Sequence, residues 1–184
     1  MMLSFRHHVL ASGSPRTSDG GDGYATVTLR LRRCMYGDVV VTETDRHPDA
    51  HAALAGPRPP RDEAWREKAV RVWLVRRYDD PDDPDAIAVL TAAGLPCGRV
   101  SGDSARRMAP AIDRALAELA GKRAFRGCTV DVYCTGLVVA EWDPRDDGWP
   151  ELRVDGPTRV EVTLLVDDLD LGLTLAAPDI PVCV

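Results

Sequence analysis

The feature that most constrains this chain is an acidic turn, stiffened by two prolines, that lies between two apolar segments. Residues 79–85 read DDPDDPD, so that Pro81 and Pro84 each follow an aspartate. Proline fixes its own φ near about −65° and disfavours helical backbone at the residue before it. The turn therefore has one preferred path. We predict a β-strand on either side of it, with the carboxylates held in a fixed array.

The segments around this turn have the two-residue period of β-strands. Before the turn, a strand over residues 70–78 would have an apolar face and a face that carries cations and an indole. These faces consist of Val70, Val72 and Leu74 on one side and Arg71, Trp73, Val75 and Arg77 on the other. After the turn, Ile87 and Val89 begin a second strand, and Gly94 and Gly98 bracket a third.

Further elements follow from the same alternation and from helical spacing of apolar residues. We predict further strands over 26–32, 39–42, 125–133, 137–142 and 159–166, the first two forming a hairpin. The prolines of 47–60 predict a loop, and residues 62–68 could form one or two helical turns. Residues 103–120 predict an amphipathic helix with a break or kink at Pro110.

Length bounds the domain organisation. A chain of 184 residues is long enough to bury one core. Residues 1–23 contain the linker-like run SGSPRTSDGGDG, which predicts a disordered N-terminal segment. We expect a single domain over residues 24–170 and a C-terminal tail over residues 171–184.

The charge is unevenly distributed. A net charge of −6 disfavours nucleic acid at first sight. Residues 128–184, however, hold 12 of the 29 acidic side chains and only 3 of the 23 basic ones. Residues 61–127, which contain the turn, hold 13 basic and 11 acidic side chains. A local face that binds nucleic acid is therefore compatible with the composition.

Cysteine usage and hydropathy indicate a compartment. The 5 cysteines are odd in number and form no CxxC motif. We find no basic and apolar signal sequence at the start, and no apolar run approaches the roughly 18 residues of a membrane span. We expect free thiols and a cytoplasmic protein. High Ala, Arg, Asp and Pro usage is typical of a bacterial coding sequence rich in G and C.

Catalytic and metal motifs fit poorly. An EF-hand loop that begins at Asp79 would need glycine and glutamate where Pro84 and Leu90 stand. His47 and His51 have a zinc-like spacing but no partner cysteines nearby in sequence. Neither a G-x-S-x-G elbow nor a G-x-G-x-x-G or Walker loop occurs. We therefore predict no enzyme, no catalytic residues, no metal and no cofactor.

Single-strand binding remains, because it needs cations along a groove and aromatic rings for base stacking. Arg71, Trp73 and Arg77 share one strand face, and Arg76 and Tyr78 flank the turn. The alternative is that Trp73 belongs to the core and that the arginines pair with the aspartates of the turn.

The run from Asp80 to Val89, followed by Gly94, by Gly98-Arg99-Val100 and by the helix-forming SARRMAPAID, resembles the HIRAN domain. This resemblance covers residues 76–113, about a fifth of the chain. It implies an OB-like β-barrel with a helical insert, a module that in Swi/Snf-type translocases binds the 3′ end of single-stranded DNA. It also implies that Asp83 contacts the terminal hydroxyl, a donor that no phosphate follows at a chain end.

The resulting prediction is an α+β fold, mainly β, with an OB-like barrel and one amphipathic helix. As implied by the resemblance, it would bind single-stranded DNA or DNA 3′ ends and serve DNA repair. The predicted contact residues are Asp83, Arg71, Trp73, Arg76, Arg77 and Tyr78. The alternative is a protein-interaction adaptor that has lost DNA binding and whose partner is a helicase or nuclease on a separate chain. In neither case do we expect a membrane partner.

Overall fold

The structure is a computed structural model, and it describes residues 26–34, 39–59, 64–125, 128–142 and 156–175. The disordered segment predicted over residues 1–23 lies outside these ranges, as does the end of the predicted tail beyond residue 175. Within them, one cluster of buried apolar side chains forms the core.

Over the described residues the fold is α+β and mainly β, with a curled sheet and two α-helices. The strands are β1 (Thr26–Leu31), β2 (Val39–Val40), β3 (Trp65–Arg76), β4 (Ile87–Leu90), β5 (Pro96–Val100), β6 (Thr129–Glu141), β7 (Arg159–Leu164) and β8 (Leu173–Leu175). The helices are α1 (Pro48–Ala55) and α2 (Gly102–Gly121). The sheet runs in the order β2-β7-β6-β3-β4-β5, with β1 on β6 and β8 on β1.

Strands β3 and β6 form the centre of the sheet. They pair antiparallel over ten residues, from Trp65 opposite Glu141 to Leu74 opposite Val132. The other edge of β6 is shared, because β1 pairs parallel with its first part and β7 antiparallel with its second. We predicted two strands here, but the chain passes through Gly136 without a break. A side chain at Gly136 would contact the core valines of β3 and β7.

The two faces of β3 and β6 differ as the two-residue period predicts. Inward-facing Val72, Leu74, Val132 and Cys134 are buried. Helix α2 packs its apolar stripe against this inner face, through Ala105, Met108, Ala109 and Ile112. The odd-numbered residues of both strands point to the opposite, outer face, where they are half-buried or exposed. The outer face is thus the side of the sheet that α2 leaves uncovered.

Several predicted elements are wrong in detail. Strands β1 and β2 do not form a hairpin, because β1 pairs with β6 and β8 while β2 pairs with β7. Part of the predicted loop is helix α1, which has Pro48 at its first turn, where a missing N–H costs nothing. The residues predicted as helical turns before β3 instead include its start at Trp65. Strand β8 lies within the predicted tail and extends the sheet past residue 170.

Helix α2 is one continuous helix, although we predicted a break or kink at Pro110. Pro110 lies on the exposed side of the helix, where its ring meets solvent instead of the sheet. No helix in the described part of the chain is long and apolar enough to cross a membrane.

Candidate functional site

The acidic turn is anchored to the domain through Arg76, the last residue of β3. Its side chain is only 7% exposed, and its guanidinium donates to both carboxylate oxygens of Asp113 on α2, at 3.0 and 3.3 Å. It also donates to the backbone carbonyls of Asp85 at 2.8 Å, Ala86 at 3.1 Å and Pro84 at 3.3 Å. All three nitrogens are engaged within the protein, so Arg76 holds the turn against α2 and has no donor left for a ligand.

The remaining arginines near the turn also pair with its aspartates. Arg77 binds Asp79 at 3.2 Å, and Arg99 binds Asp80 at 3.3 Å. Asp80 in addition accepts the backbone N–H groups of Asp82 and Asp83, as in an Asx turn. These contacts agree with the alternative in which the arginines neutralise the turn.

Tyr78 is part of the same anchor. Its hydroxyl donates to Asp113 at 2.7 Å, and the Arg76 guanidinium lies 4.8 Å from the centre of its ring. Burial and the hydrogen bond to Asp113 raise the pKa of Tyr78 to about 12. The Tyr78 ring contacts a guanidinium and its hydroxyl is hydrogen-bonded to a carboxylate, so Tyr78 also helps to anchor the turn.

Asp83 lies in the turn that follows β3. Three residues of β3, about 10 Å of strand, separate Trp73 from the start of the turn. The pKa of Arg106 on α2 is raised by its hydrogen bond and attraction to Asp103, and further by the charge of Asp83. Asp83 is therefore within electrostatic range of α2, while Trp73 points to the outer face of the sheet. A single site that joins this carboxylate to the indole stays a prediction.

The outer face carries a cluster of aromatic and cationic side chains. Trp73 is directly opposite Tyr133 of β6, and their ring centres are 5.5 Å apart in an edge-to-face arrangement. The guanidinium of Arg71, two residues before Trp73 on the same strand face, lies 4.7 Å from the centre of the Tyr133 ring. Edge-to-face rings and a cation over a ring are both favourable arrangements, so these three side chains hold one another in place.

The cluster continues across the sheet on both sides. Leu90 of β4 is the cross-strand partner of Trp73, and exposed Arg30 of β1 is the partner of Tyr133. We call the set of Arg30, Arg71, Trp73 and Tyr133 the aromatic platform. Trp73 is half-buried on this face. The sequence left open whether its side chain would lie in the core or on an open binding face, and the structure places it between these two extremes.

The other half of the same face has the opposite charge. Here Val139 of β6 lies between Glu67 of β3 and Glu161 of β7, its two cross-strand partners. One row further, the indole of Trp65 is 58% exposed opposite Glu141. Arg159 brings a cation to this half, where it pairs with Glu161 and lies 4.0 Å from Glu141. We call the set of Trp65, Glu67, Val139, Glu141 and Glu161 the carboxylate half.

Other candidate groups have structural roles. Burial raises the pKa of the Cys97 and Cys134 thiols to about 12, which leaves them unreactive near neutral pH. A cavity of about 640 Å³ lies beside Cys34 at the start of α2. Of the two carboxylates that line it, Asp168 accepts hydrogen bonds from Ser104 and Arg107, and the Arg107 hydrogen bond lowers the pKa of Asp168. No group of three or more metal-ligating side chains occurs among the described residues.

Of the six residues predicted to contact a ligand, the structure places Arg71 and Trp73 on the outer face and the other four around the turn. It adds Tyr133 and Arg30, which the sequence analysis missed. The strand period of 129–135 could have placed Tyr133 on an outer face, but only the register of β3 and β6 brings it to Trp73. No family model, curated protein or solved structure matches this chain.

Proposed function

We propose that this protein is a non-catalytic module that binds single-stranded nucleic acid on its outer sheet face. The observation that carries the proposal is the aromatic platform, in which Trp73 and Tyr133 adjoin the cations of Arg71 and Arg30. Bases stack on such rings whatever their identity, for about 1–3 kcal/mol each, while the cations attract the backbone phosphates. Single strands are favoured over duplex, because a duplex keeps its bases stacked inside.

Selection of a 3′ end, which the HIRAN resemblance implies through Asp83, is not part of this proposal. A strand stacked on Trp73 would have to extend past the end of β3 at Arg76 to reach Asp83 in the turn. Arg76, Arg77 and Tyr78 are engaged with Asp113 and Asp79, so contacts with a strand would cost the anchoring of the turn. We therefore expect binding that depends on the platform and is indifferent to the chemistry of the strand end.

Fluorescence anisotropy with labelled oligothymidine tests this proposal. We expect binding to single strands that weakens steeply as salt rises, because bound cations are released from the strand. Oligonucleotides with a free and with a phosphorylated 3′ end should bind equally well. Preference for the free end would instead restore the role of Asp83, and absence of binding at low salt would refute the proposal altogether.

The free thiols fit a reducing compartment. Cys34, Cys97, Cys128 and Cys134 are free cysteines. Free thiols are typical of proteins in a reducing compartment. We propose a cytoplasmic location on this basis, and a bacterial source on the composition alone.

The carboxylate half favours a second candidate, the protein-interaction adaptor. Half-buried Val139 and exposed Trp65 provide apolar area, and the glutamates around them would select a partner that presents basic side chains. Affinity capture with immobilised wild-type protein, compared with a Glu67→Lys, Glu161→Lys variant, tests this candidate. Recovery of a basic protein by the wild type alone, together with no oligonucleotide binding, would favour the adaptor over the nucleic-acid module.

A further inference from the structure

The outer face of β3 and β6 consists of five cross-strand rows. On β3, a positive charge lies on one side of the middle row and a negative charge on the other. In order along the strands, the rows are Trp73–Tyr133, Arg71–Thr135, Ala69–Leu137, Glu67–Val139 and Trp65–Glu141. Along β3, the cation of Arg71 and the carboxylate of Glu67 lie at equal distances on either side of the central row, so these two positions are electrostatic complements of each other. Each half also carries a charge of the other sign, Asp131 beside Tyr133 and Arg159 beside Glu141. Arg30 and Arg159 occupy equivalent positions beside β6 and are like charges, but Arg159 is already paired with Glu161.

We propose that the partner of this face is a second copy of the same chain, bound face to face about a two-fold axis that runs along the Ala69–Leu137 row. Such an axis keeps β3 over β3 and β6 over β6 but reverses the order of the rows. Arg71 then lies opposite Glu67 of the second copy, Tyr133 opposite its Glu141, and Trp73 opposite its Trp65. Each contact occurs twice, as an isologous interface requires.

The central row suits this arrangement sterically. Ala69 has the smallest side chain of the outer face of β3, so two sheets can approach to the about 10 Å spacing of packed sheets. Leu137 beside it is half-buried and would meet its own copy across the axis. The Arg71 cation and the Glu67 carboxylate are both exposed, and each would face the other's counterpart in the second copy.

The size of the face predicts a weak dimer. Five rows span about 30 Å along the strands, and the three or four strands that lie side by side at each row span about 14–19 Å. This footprint, of about 400–600 Å² in each copy, is below the about 800 Å² of a standard stable interface. Curling of the sheet reduces it further. We expect a dissociation constant between about 10 and about 100 μM.

Dimerisation would also regulate the platform. Trp73, Tyr133 and Arg71 are covered in the dimer, so a bound strand and a second copy exclude each other. This consequence rests on the proposed function, whereas the dimer does not.

Sedimentation velocity of the purified chain, without nucleic acid, from about 5 to about 500 μM tests the proposal. We expect a monomer–dimer equilibrium that weakens with salt. Arg71→Glu and Glu67→Arg should each weaken self-association at least about tenfold, since like charges then face each other twice. Trp65→Ala, which removes an exposed ring without changing the charge, should weaken it as well. Far-UV circular dichroism verifies that the variants fold.

An equimolar mixture of the two charge-reversal variants should restore a dimer. In the mixed dimer, the carboxylate introduced into one variant faces the guanidinium introduced into the other. At the second, symmetry-related contact, the native Glu67 of the first variant faces the native Arg71 of the second. Both contacts therefore join opposite charges again, which neither variant can achieve with its own copy.

A wild-type chain that stays monomeric at about 500 μM would overturn the proposal, as would a dimer that neither charge reversal weakens or a mixture that fails to associate. Addition of oligothymidine to the dimer tests whether strand binding and dimerisation exclude each other. We expect the dimer to dissociate into a monomer–oligonucleotide complex. If the dimer forms and the oligonucleotide does not bind, the proposed function fails and the dimer stands.

Discussion

The buried anchor of the acidic turn gives the sharpest prediction about stability, through the substitution Arg76→Ala. It removes two hydrogen bonds to Asp113 and three to the carbonyls of Pro84, Asp85 and Ala86. A buried group that loses its partner costs about 1–3 kcal/mol. The Asp113 side chain is 36% exposed and can be rehydrated, so its share is reduced. We expect a total loss of about 3 kcal/mol in the free energy of unfolding.

The matched control is the neighbouring Arg77→Ala. Arg77 and its partner Asp79 are 44% and 71% exposed, and a surface pair of this kind contributes less than about 1 kcal/mol. In urea denaturation followed by circular dichroism, a loss of about 3 kcal/mol lowers the midpoint by about 1.5 M if the slope is about 2 kcal/mol per M. Arg77→Ala should leave the midpoint nearly unchanged. Equal midpoints for the two variants would refute the structural role of Arg76.

Two further predictions concern the same region. Gly98→Ala should lower the free energy of unfolding by about 3 kcal/mol, because φ is +142° there and a Cβ would lie 2.5 Å from the Thr42 carbonyl oxygen. Gly94→Ala is the control: φ is +81° but the space is open, so thermal unfolding should show a loss of about 1–2 kcal/mol. Tyr78 should ionise near pH 12 in a titration at about 295 nm, a transition that Tyr78→Phe removes. Because the folded pKa is the higher one, this contribution to stability is complete below pH ~10 and is lost as the pH rises through about 12. If every tyrosine of the folded protein ionises near pH ~10, this assignment is contradicted.

Local structure followed from the sequence where one face is clearly apolar. The alternation of β1 and β7 and the helical stripe of α2 each predicted an element that the structure has. Helix α1 was missed because prolines follow it, yet Pro48 at its first turn and the alanines behind it are ordinary signals of a helix start. We predicted two strands where the structure has one long β6, in which Gly136 faces the core and leaves room for Val72 and Val162.

Pairing between distant strands could not be predicted in the same way. A hairpin of β1 and β2 was the simplest local solution, but the long β6 offers β1 a full parallel partner and β2 finds β7. For the same reason the sequence found Arg71 and Trp73 on a common face and missed Tyr133, which reaches them only through the register of β3 and β6. The role of Arg76 as an anchor could not be predicted either, because only the packing of α2 brings Asp113 to its inward-facing side chain.

The role of the aromatic platform is tested by oligothymidine binding of variants at two tryptophans of the same strand face, measured by anisotropy at low salt. Protein concentrations below about 1 μM keep the chain monomeric. Trp73→Ala should weaken binding by about 1–3 kcal/mol, at least about fivefold, because it removes a stacking ring of the aromatic platform. Trp65→Ala, which removes a more exposed ring from the carboxylate half, should leave affinity unchanged. Equal affinities for the wild type and Trp73→Ala would contradict the account.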